Sequence, residues 1–360
     1  MVTDYLPVYP PLRLDHLERL TDCTGVIQHA IYAVPDPTFG YSIDDQARAL
    51  VVCLAHARLS GQQHAPRAAY TYMSYLRLAS TSEGSFRNFL SYSRQWLDGR
   101  GSEDAHGRAL WALGYAIRYG LERGLSGAAG ELFDVGVGGI ELLREPRSRA
   151  FAMFGLYHRL RALHDWALLA VVRRWADVLV ALYDATTTPD WPWFEAVLTY
   201  DNAKLPAALL LAHELTGEVR YREVGLATLS WLATVVFNEE GELRLVGQDG
   251  WYPRGGQKAA FDEQCVDAQG MVEASLIALR VSGDPTWRAH ALAAFDWFVG
   301  RNVHGIALLD SATWGCFDGI TVERLNRNMG AESIVSYLLA YLDLVAASVL
   351  TLDGGVPSPV

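Results

Sequence analysis

The stretch LAHARLSGQQHAPRAAYTYMSYL (54–76) decides the fold, because it holds the end of one amphipathic helix, a short polar turn and the start of another helix. Apolar residues recur at intervals of three and four on both sides of the turn, which is the helical period. Ser60-Gly61 closes the first helix, since glycine adopts a positive φ at a helix C-terminus without strain. So short a turn makes the two helices antiparallel neighbours. The stretch therefore predicts a helical hairpin.

The same plan returns in LAHELTGEVRYREVGLATLSWL (211–232) and ALRVSGDPTWRAHALAAFDWF (278–298). Successive pairs open about 60 residues apart, and hairpins that cannot bury their faces alone stack into arrays or close into rings. Loops that are long on one side only favour the ring, so we predict an all-α fold, an (α/α)6 toroid formed by one domain over 1–360. Residues 1–40 are predicted to form an N-terminal arm with a short helix packed on the barrel, and ELRLVG (242–247) is the best strand candidate. The helical period predicts helices over 13–21, 42–60, 64–80, 104–121, 126–144, 148–163, 165–185, 202–217, 219–237, 265–283, 285–300 and 329–349.

Composition excludes several classes of function. The net charge of −11 argues against nucleic acid, because a phosphate backbone is bound chiefly through lysine and arginine. No apolar run is long enough for a membrane span, and MVTDYLPVYPPLRLDHLERL (1–20) lacks the features of a signal peptide. Four dispersed cysteines without a CxxC pair predict reduced thiols in a cytoplasmic protein. Nucleotide-binding motifs and metal-ligand spacings are missing, so we expect neither cofactor nor metal.

In a ring of hairpins the first helices run parallel, and their N-termini meet at one end. Acids gather at two such N-termini, in GYSIDDQARAL (40–50) and GSEDAHGRALWALG (101–114). A single acid there caps its helix, but two adjacent carboxylates repel each other unless another group absorbs their charge. Capping remains open as the alternative for one acid of each pair. Otherwise we predict Asp45 and Asp104 as candidate general bases and Asp44 and His106 as sugar contacts.

The segment TPDWPWFEAVLTYDNAKLP (188–206) carries the strongest signal for a site. Trp191 and Trp193 flank a proline, so the segment is not an ordinary helix interior. A carboxyl against indole rings has its charged form desolvated, which raises its pKa, so we predict Glu195 as the general acid. A hydrophobic plug that merely fills the loop is the alternative. Further predicted substrate contacts in the segment are Trp191, Trp193, Tyr200, Asp201 and Asn202.

Two later segments supply further candidates. In GWYPRGGQKAAFDEQCVDAQG (250–270), Trp251 and Arg254 are predicted to bind substrate, and Asp262 and Glu263 are alternative catalytic acids. In GCFDGITVERLNRNMGAESIVSYLLA (315–340), Glu332 is a predicted substrate contact, with a capping box as its alternative role.

The order of these motifs resembles a bacterial family of (α/α)-barrel proteins often described beside, or as the tail of, glycosyltransferases. The resemblance covers nearly the whole chain and implies functional association with a glycosyltransferase. More broadly, the architecture is similar to the six-hairpin glycosidase and N-acylglucosamine epimerase toroids, in which the site is the bowl at the loop-rich end. The motifs are HLERLTDCTGVIQHA (16–30), GYSIDDQARAL (40–50), GRALWALG (107–114), WPWFEAVLTYDNAKLPAALLLA (191–212) and GAESIVSYLLA (330–340).

These features predict an anomer-inverting glycoside hydrolase that acts on an oligosaccharide or polysaccharide. Inversion uses a carboxylic acid and a carboxylate roughly 6.5–9.5 Å apart, which leaves room for the attacking water. Phosphorolysis stays open, with Arg254 as a phosphate donor group. So do a sugar epimerase with histidine bases (His29, His106, His304), a non-catalytic glycan-binding partner of a glycosyltransferase, and a terpenoid-type enzyme that uses Asp44 and Asp45.

Overall fold

The computed structural model describes residues 9–357, and six of the helices in that range form a closed ring. Each inner helix contacts the next, and the last contacts the first. The inner helices are α2 (Ile43–Leu59), α4 (Glu103–Tyr119), α6 (Pro146–Ala162), α8 (Lys204–Thr216), α10 (Cys265–Ser282) and α12 (Ala331–Ala346). The outer helices are α3 (Arg67–Ala79), α5 (Arg123–Val137), α7 (Trp166–Thr186), α9 (Val219–Val236) and α11 (Thr286–Asp296), and α1 (Asp15–Leu20) packs on α12. The predicted (α/α)6 toroid is confirmed.

The turns set the direction of the ring. Gly217 and Gly283 end α8 and α10 with φ of 72° and 73°, a conformation that glycine adopts without strain, and each begins a turn of a few residues. The connections from outer to inner helices are much longer, for example 80–102 and 297–330. The inner helices therefore all begin at the same end of the ring. We call the concave surface made by these N-termini and the long loops the bowl.

Within residues 9–357, short strands join the long loops around the bowl in five antiparallel pairs. The predicted strand over 242–247 is wrong, because Leu243 makes only an isolated bridge to Phe237. The pairs are β1 (His29–Ile31) with β2 (Val34–Asp36), β3 (Tyr41–Ser42) with β4 (Phe89–Leu90), β5 (Val197–Leu198) with β6 (Tyr252–Pro253), β7 (Glu263–Gln264) with β10 (Gly319–Ile320), and β8 (Leu309–Asp310) with β9 (Gly315–Cys316).

Two features concern the ends and surface of the chain. Residues 1–8, which belong to the predicted N-terminal arm and to the stretch without signal-peptide features, lie outside the described residues. Within 9–357, no helix combines the length and the apolar character that a membrane crossing requires.

Helices α4 and α6 approach each other through glycines. A Cβ on Gly155 would lie 2.2 Å from the Leu110 carbonyl oxygen, and a Cβ on Gly114 would lie 2.1 Å from the Gly155 carbonyl oxygen. A third glycine, Gly107, meets the carbonyl oxygen of Ser148 in the same way. Only residues without a side chain allow this backbone contact. We call these three glycines, Gly107, Gly114 and Gly155, the glycine seam. The seam fixes α4 against α6 along most of their length.

We expect Gly155→Ala to lower the free energy of unfolding by about 2–3 kcal/mol, because the added methyl group overpacks a contact made of backbone. Urea denaturation followed by circular dichroism measures the change. Gly130→Ala on α5 is the matched control, since a Cβ there meets nothing within 4 Å. That variant should be neutral or more stable, because alanine favours helix over glycine. Equal loss in both variants would contradict the close approach.

Candidate active site

Serines cap α2 and α4 at the bowl, so the acids in the first turns of these helices are free for other contacts. Ser42 Oγ accepts from the Asp45 amide at 3.3 Å, and Ser102 Oγ accepts from the Ala105 amide at 3.1 Å. Gly330 precedes α12, where no side chain caps the helix. Capping is therefore the wrong interpretation of Asp44, Asp45, Asp104 and Glu332.

A buried arginine on α2 links two acids from different helices. Arg48 Nη2 lies 3.0 Å from Asp45 Oδ1 and 3.0 Å from Glu332 Oε2. The Asp45 partner is buried beside it, whereas Glu332 faces the opening of the bowl. A buried guanidinium needs such partners, because an unpaired charge away from water is costly.

Arg108 on α4 links acids in the same way at the next inner helix of the ring. Its Nη2 lies 3.4 Å from Asp201 Oδ2, and its Nε lies 3.8 Å from Asp44 Oδ2. The guanidinium also stacks over the Phe151 ring at 4.2 Å. Arg108 therefore joins acids from α2 and from the loop before α8.

A third arginine, Arg147 on α6, holds the loop that contains Glu195. It donates to Glu195 Oε2 at 2.7 Å, to the Tyr200 carbonyl oxygen at 2.7 Å and to Asn202 Oδ1 at 3.0 Å. The Tyr200 hydroxyl in turn donates to Asp104 Oδ2 at 2.5 Å. Glu195 and Asp104 thus lie on the same side of the bowl, as the ring architecture predicts.

Asp104 borders a cleft of about 370 Å³ between the starts of α4 and α6. Both of its oxygens are occupied, since Ser148 Oγ donates to Oδ1 at 2.5 Å and Tyr200 donates to Oδ2. Each oxygen of this carboxylate therefore already accepts one hydrogen bond from the protein, which lowers its basicity toward a water. Asp104 is therefore better suited to positioning Tyr200 than to acting as the base.

Asp44 and Glu332 are the acids that combine a raised or lowered pKa with access to the bowl. The Asp44 side chain is 27% exposed, and its Oδ1 has no hydrogen-bond partner among the described residues. Burial raises the pKa of Asp44 although Arg108 and Arg48 oppose it. The Glu332 side chain is 48% exposed; burial alone would raise its pKa, but Arg48 and Arg108 outweigh that effect and lower it. The pKa values of the two carboxyls are thus shifted in opposite directions, that of Asp44 upward and that of Glu332 downward.

Four predicted site residues are buried and engaged within the protein, so the prediction that they act on substrate is wrong. Asp45 forms an ion pair with Arg48 and accepts a hydrogen bond from Ser42, and Asp201 forms an ion pair with Arg108. Asn202 binds Arg147 and the Thr199 backbone. His106 points away from the bowl, where its Nε2 contacts the Gly136 carbonyl oxygen at 2.9 Å.

The tryptophans of 188–206 form a plug, and their prediction as sugar platforms is also wrong. Trp191 and Trp193 are buried and pack on Trp231. The Trp191 indole donates to the backbone oxygen of Glu195 at 2.7 Å, while the Glu195 carboxylate turns to Arg147. The predicted contact between carboxyl and indole rings, on which the role of Glu195 as general acid rests, is therefore not formed.

The loop over 250–270 reaches the site through Trp251. Its ring centroid lies 6.4 Å from that of Tyr200, and both side chains are partly exposed. Arg254 is exposed but donates to the Thr186 carbonyl oxygen and to Thr188 Oγ1, at 2.9 and 3.1 Å. Asp262 is partly buried and follows a cis peptide bond after Phe261.

Glu263 is a buried structural acid, which corrects its prediction as a catalytic residue. The Leu245 amide donates to Oε1 at 2.9 Å and the Trp297 indole to Oε2 at 2.6 Å. Burial raises the pKa of Glu263 to about 7, although both hydrogen bonds lower it. Neither oxygen is available to a substrate.

We expect the raised pKa of Glu263 to make the protein less stable as the pH rises from about 4.5 to about 7. Over that range the unfolded chain releases the proton while the folded chain keeps it, which amounts to about 3 kcal/mol at most. Glu263→Gln removes this pH-dependent part and adds a constant loss, because an amide nitrogen cannot accept a hydrogen bond. Denaturation of both proteins at several pH values measures the difference. A difference that does not change with pH would contradict the buried, protonated acid.

Of the remaining histidines, His29 lies nearest to the acids of the bowl. Asn328 Nδ2 donates to His29 Nδ1 at 2.7 Å and also binds Asp318. His304 is held by the Thr321 carbonyl oxygen and stacks on Phe261. The histidines therefore do not converge on one point.

The sequence does not predict the three arginines as members of the site. Arg48 and Arg108 each lie one turn after an acid, which suggests pairing along the same helix. In the structure Arg48 pairs with Glu332 and Arg108 pairs with Asp201, and both of these acids come from other segments of the chain. Only the closed ring brings these partners together. The recurring Arg one turn into α2 and α4 was the available signal.

The acids do not form a metal site among residues 9–357. Asp44 and Asp45 turn to different arginines, Arg108 and Arg48. A shared cation of the kind that the terpenoid alternative requires has no pair of convergent carboxylates here. The cation-binding form of that alternative therefore has no support here, whereas its other form, protonation by Asp44 or Asp45, needs no shared cation.

Comparison with known proteins shows the fold. No protein-family model matches the chain, and no curated protein matches it by sequence. A cellobiose 2-epimerase from Bacillus thermoamylovorans has a TM-score of 0.71 at 12% identity, covering 93% of this chain and 95% of its own. An α-1,6-mannanase from Salegentibacter sp., an inactive variant with two consecutive aspartates replaced and α-1,6-mannotetrose bound, has a TM-score of 0.64 at 12% identity, with coverages of 92% and 96%. An endoglucanase from the termite Nasutitermes takasagoensis has a TM-score of 0.55 at 13% identity, with coverages of 91% and 89%. The predicted likeness to six-hairpin glycosidase and epimerase toroids is confirmed, whereas membership of the narrower bacterial barrel family stays a prediction.

Proposed function

We propose that the protein is a carbohydrate-active enzyme that hydrolyses a glycosidic bond with inversion, with Asp44 as general acid and Glu332 as general base. One observation carries the proposal: the Asp44 side chain is 27% exposed at the bowl although its Oδ1 is buried, and it lies in the field of Glu332. A catalytic acid needs a carboxyl that holds its proton and is free to donate it.

The arginines give each carboxyl its role. Glu332, kept ionised beside Arg48, takes a proton from the water that attacks the anomeric carbon. Asp44 gives its proton to the departing oxygen as the glycosidic bond breaks. Arg108 Nε, 3.8 Å away, then stabilises the new Asp44 carboxylate. Proton exchange with water restores both groups.

The substrate is proposed to be an oligosaccharide or polysaccharide. Tyr200 and Trp251 offer partly exposed aromatic faces beside the cleft at Asp104. In the α-1,6-mannanase, replacement of two consecutive aspartates gives an inactive protein. Asp44-Asp45 is also a pair of consecutive aspartates. Asp45 then acts indirectly, by positioning Arg48. Association with a glycosyltransferase remains a component of the proposal, as the resemblance implies it.

The test is a screen of the purified protein against linkage-defined oligosaccharides, with and without phosphate. The panel includes α-1,6-linked mannose and β-1,4-linked glucose oligomers, and proton NMR records the anomer of the first product. The proposal expects release without phosphate and inversion at the anomeric carbon. Release that needs phosphate would select phosphorolysis, and glycan binding without turnover would select the binding module.

Epimerisation is the second candidate, because His29 lies within the field of Glu332 and binds Asn328 at the rim of the bowl. An epimerase acts on a free sugar end and exchanges a carbon-bound proton with solvent. Incubation of cellobiose and mannose in deuterated water, followed by mass spectrometry, detects that exchange. Deuterium uptake without cleavage would replace the hydrolase proposal.

We expect a bell-shaped pH dependence of kcat/KM on the acid side of neutrality. Activity falls on the acid side as Glu332 takes up a proton, at a pKa lowered from 4.5. It falls on the alkaline side as Asp44 loses its proton, at a pKa raised from 3.8. A substrate with an activated leaving group should lose the alkaline limb alone, because its departure needs no proton. Persistence of that limb would remove Asp44 from the role of acid.

A further inference from the structure

A second cavity lies at the end of the ring opposite the bowl. Its volume is about 380 Å³, and every inner helix contributes to its lining. This volume lies within the range of small-molecule sites, which begins near roughly 300 Å³. We call it the rear pocket. It is independent of the proposed catalytic site.

Lys204 closes the inner end of the rear pocket. Although Lys204 is the first residue of α8, its ammonium reaches the rings of Trp111 and Phe154, 4.5 and 4.8 Å from their centroids. The Lys204 side chain is buried and ion-paired with Glu273, which lines the pocket. These two aromatic faces therefore already stabilise one ammonium group.

The charged groups of the pocket leave one carboxyl without a bonded cation. Lys204 pairs with Glu273, and Arg280 at the mouth pairs with Glu214 at 2.7 and 2.9 Å. Asp343 on α12 also lines the pocket and forms no ion pair within the described residues. Burial and the neighbouring Glu273 raise the pKa of Asp343 well above its usual range.

Two other arginines near the mouth do not occupy the pocket. Arg58 and Arg118 stack over Tyr119, 4.6 and 4.8 Å from its centroid, and none of these three residues belongs to the lining. Burial, together with Arg118, Arg280 and Arg58, lowers the pKa of the lining residue His158 to about 3, so this imidazole is neutral. The two carboxyls thus lie inside the pocket, Arg280 lines its mouth, and the two further arginines lie behind the wall, although the field of Arg58 reaches Asp343.

We propose that the rear pocket binds a small organic ammonium ion with an apolar body, whose charge is placed at Asp343 and Glu273. The apolar body packs between Trp111, Phe154 and Leu339, and the ammonium replaces the proton that burial favours on Asp343, so this proton is released to solvent on binding. A neutral molecule of the same shape gains the packing and not the charge pairing. An anion meets two carboxyls in an apolar wall.

Three probes of similar shape test the charge preference: 2-phenylethylammonium, 2-phenylethanol and 3-phenylpropionate. Calorimetry and saturation-transfer NMR on the full chain measure their binding. We expect the ammonium to bind about tenfold more tightly than the alcohol, as one desolvated charge contact allows. Asp343→Asn, which keeps the shape of the side chain, should bring the two affinities together. The matched control is Asp184→Asn on the outer surface of α7, where the same change should have no effect.

A blocking variant tests the place of binding. Ala346→Trp fills the mouth from an exposed position at the end of α12 and should abolish binding of the ammonium probe. Equal affinity for ammonium and alcohol, tighter binding of the carboxylate, binding that survives Ala346→Trp, or failure of all three probes to bind would each overturn the proposal.

Discussion

Replacement of Asp44 by Asn should lower kcat about 10³-fold on a natural glycoside while the protein stays folded. The amide keeps the shape of the side chain but has no proton to give, and general acid catalysis contributes about 10²–10⁴-fold. Arg108 keeps its ion pair with Asp201 in this variant, so the protein should stay folded. Steady-state kinetics on the substrate found in the screen, with circular dichroism as the check on folding, measure the effect.

The leaving group separates the acid from the base. The leaving group of a 2,4-dinitrophenyl glycoside departs without protonation. This substrate should therefore restore the kcat of the Asp44→Asn variant to within about tenfold of wild type. It should not restore Glu332→Gln, because the attacking water still needs a base. Glu323→Gln, a change of the same type on an exposed section of the 315–330 loop, should keep full activity. An Asp44→Asn variant that retains natural-substrate turnover would exclude Asp44 as the acid.

Replacement of Arg108 by Met should lower the free energy of unfolding by about 3–5 kcal/mol, the usual effect of removing one partner from a buried ion pair. Arg108 is buried between Asp44 and Asp201, and its loss leaves Asp201 buried without its cation. Urea denaturation measures the loss. The second change Asp201→Asn should recover some of it, because Asn removes the unpaired charge and tolerates the positive φ of 46° at this position.

A surface pair gives the control for Arg108. Arg174 and Glu141 form an ion pair with both side chains half-exposed or more. Arg174→Met should change the free energy of unfolding by less than about 1 kcal/mol. Similar losses for the two variants would mean that the pairing of Arg108 does not stabilise the ring.

The fold could be predicted from local signals, because the apolar period and the turn residues of each hairpin lie within some 40 residues of sequence. The predicted helix over 42–60 is α2 at Ile43–Leu59, and the prediction over 265–283 is α10 at Cys265–Ser282. The error over 242–247 has a local cause too: alternation favoured a strand, but no second strand lies beside it. The helical period and the turn residues therefore suffice to predict a fold that is built from short repeated units.

The site could be predicted only to a limited extent, because its chemistry depends on which side chains meet across the ring. The acids in the first turns of α2, α4 and α12 do gather in the bowl, as the parallel inner helices imply. Burial is what sequence could not give: Asp44 and Asp45 are neighbours in the chain, yet one opens into the bowl and the other is sealed against Arg48. The tryptophans of the 188–206 loop were misjudged for the same reason.

The glycine seam between α4 and α6 has a consequence for motion. Because backbone meets backbone at Gly107, Gly114 and Gly155, these two helices cannot slide or separate without losing contact along their whole length. Hydrogen exchange should therefore be slowest in the amides of this pair. Any opening of the ring to admit a bulky sugar has to occur between other pairs of inner helices. The cleft at Asp104 would then keep its shape while the opposite wall, near Glu332, adapts to the guest.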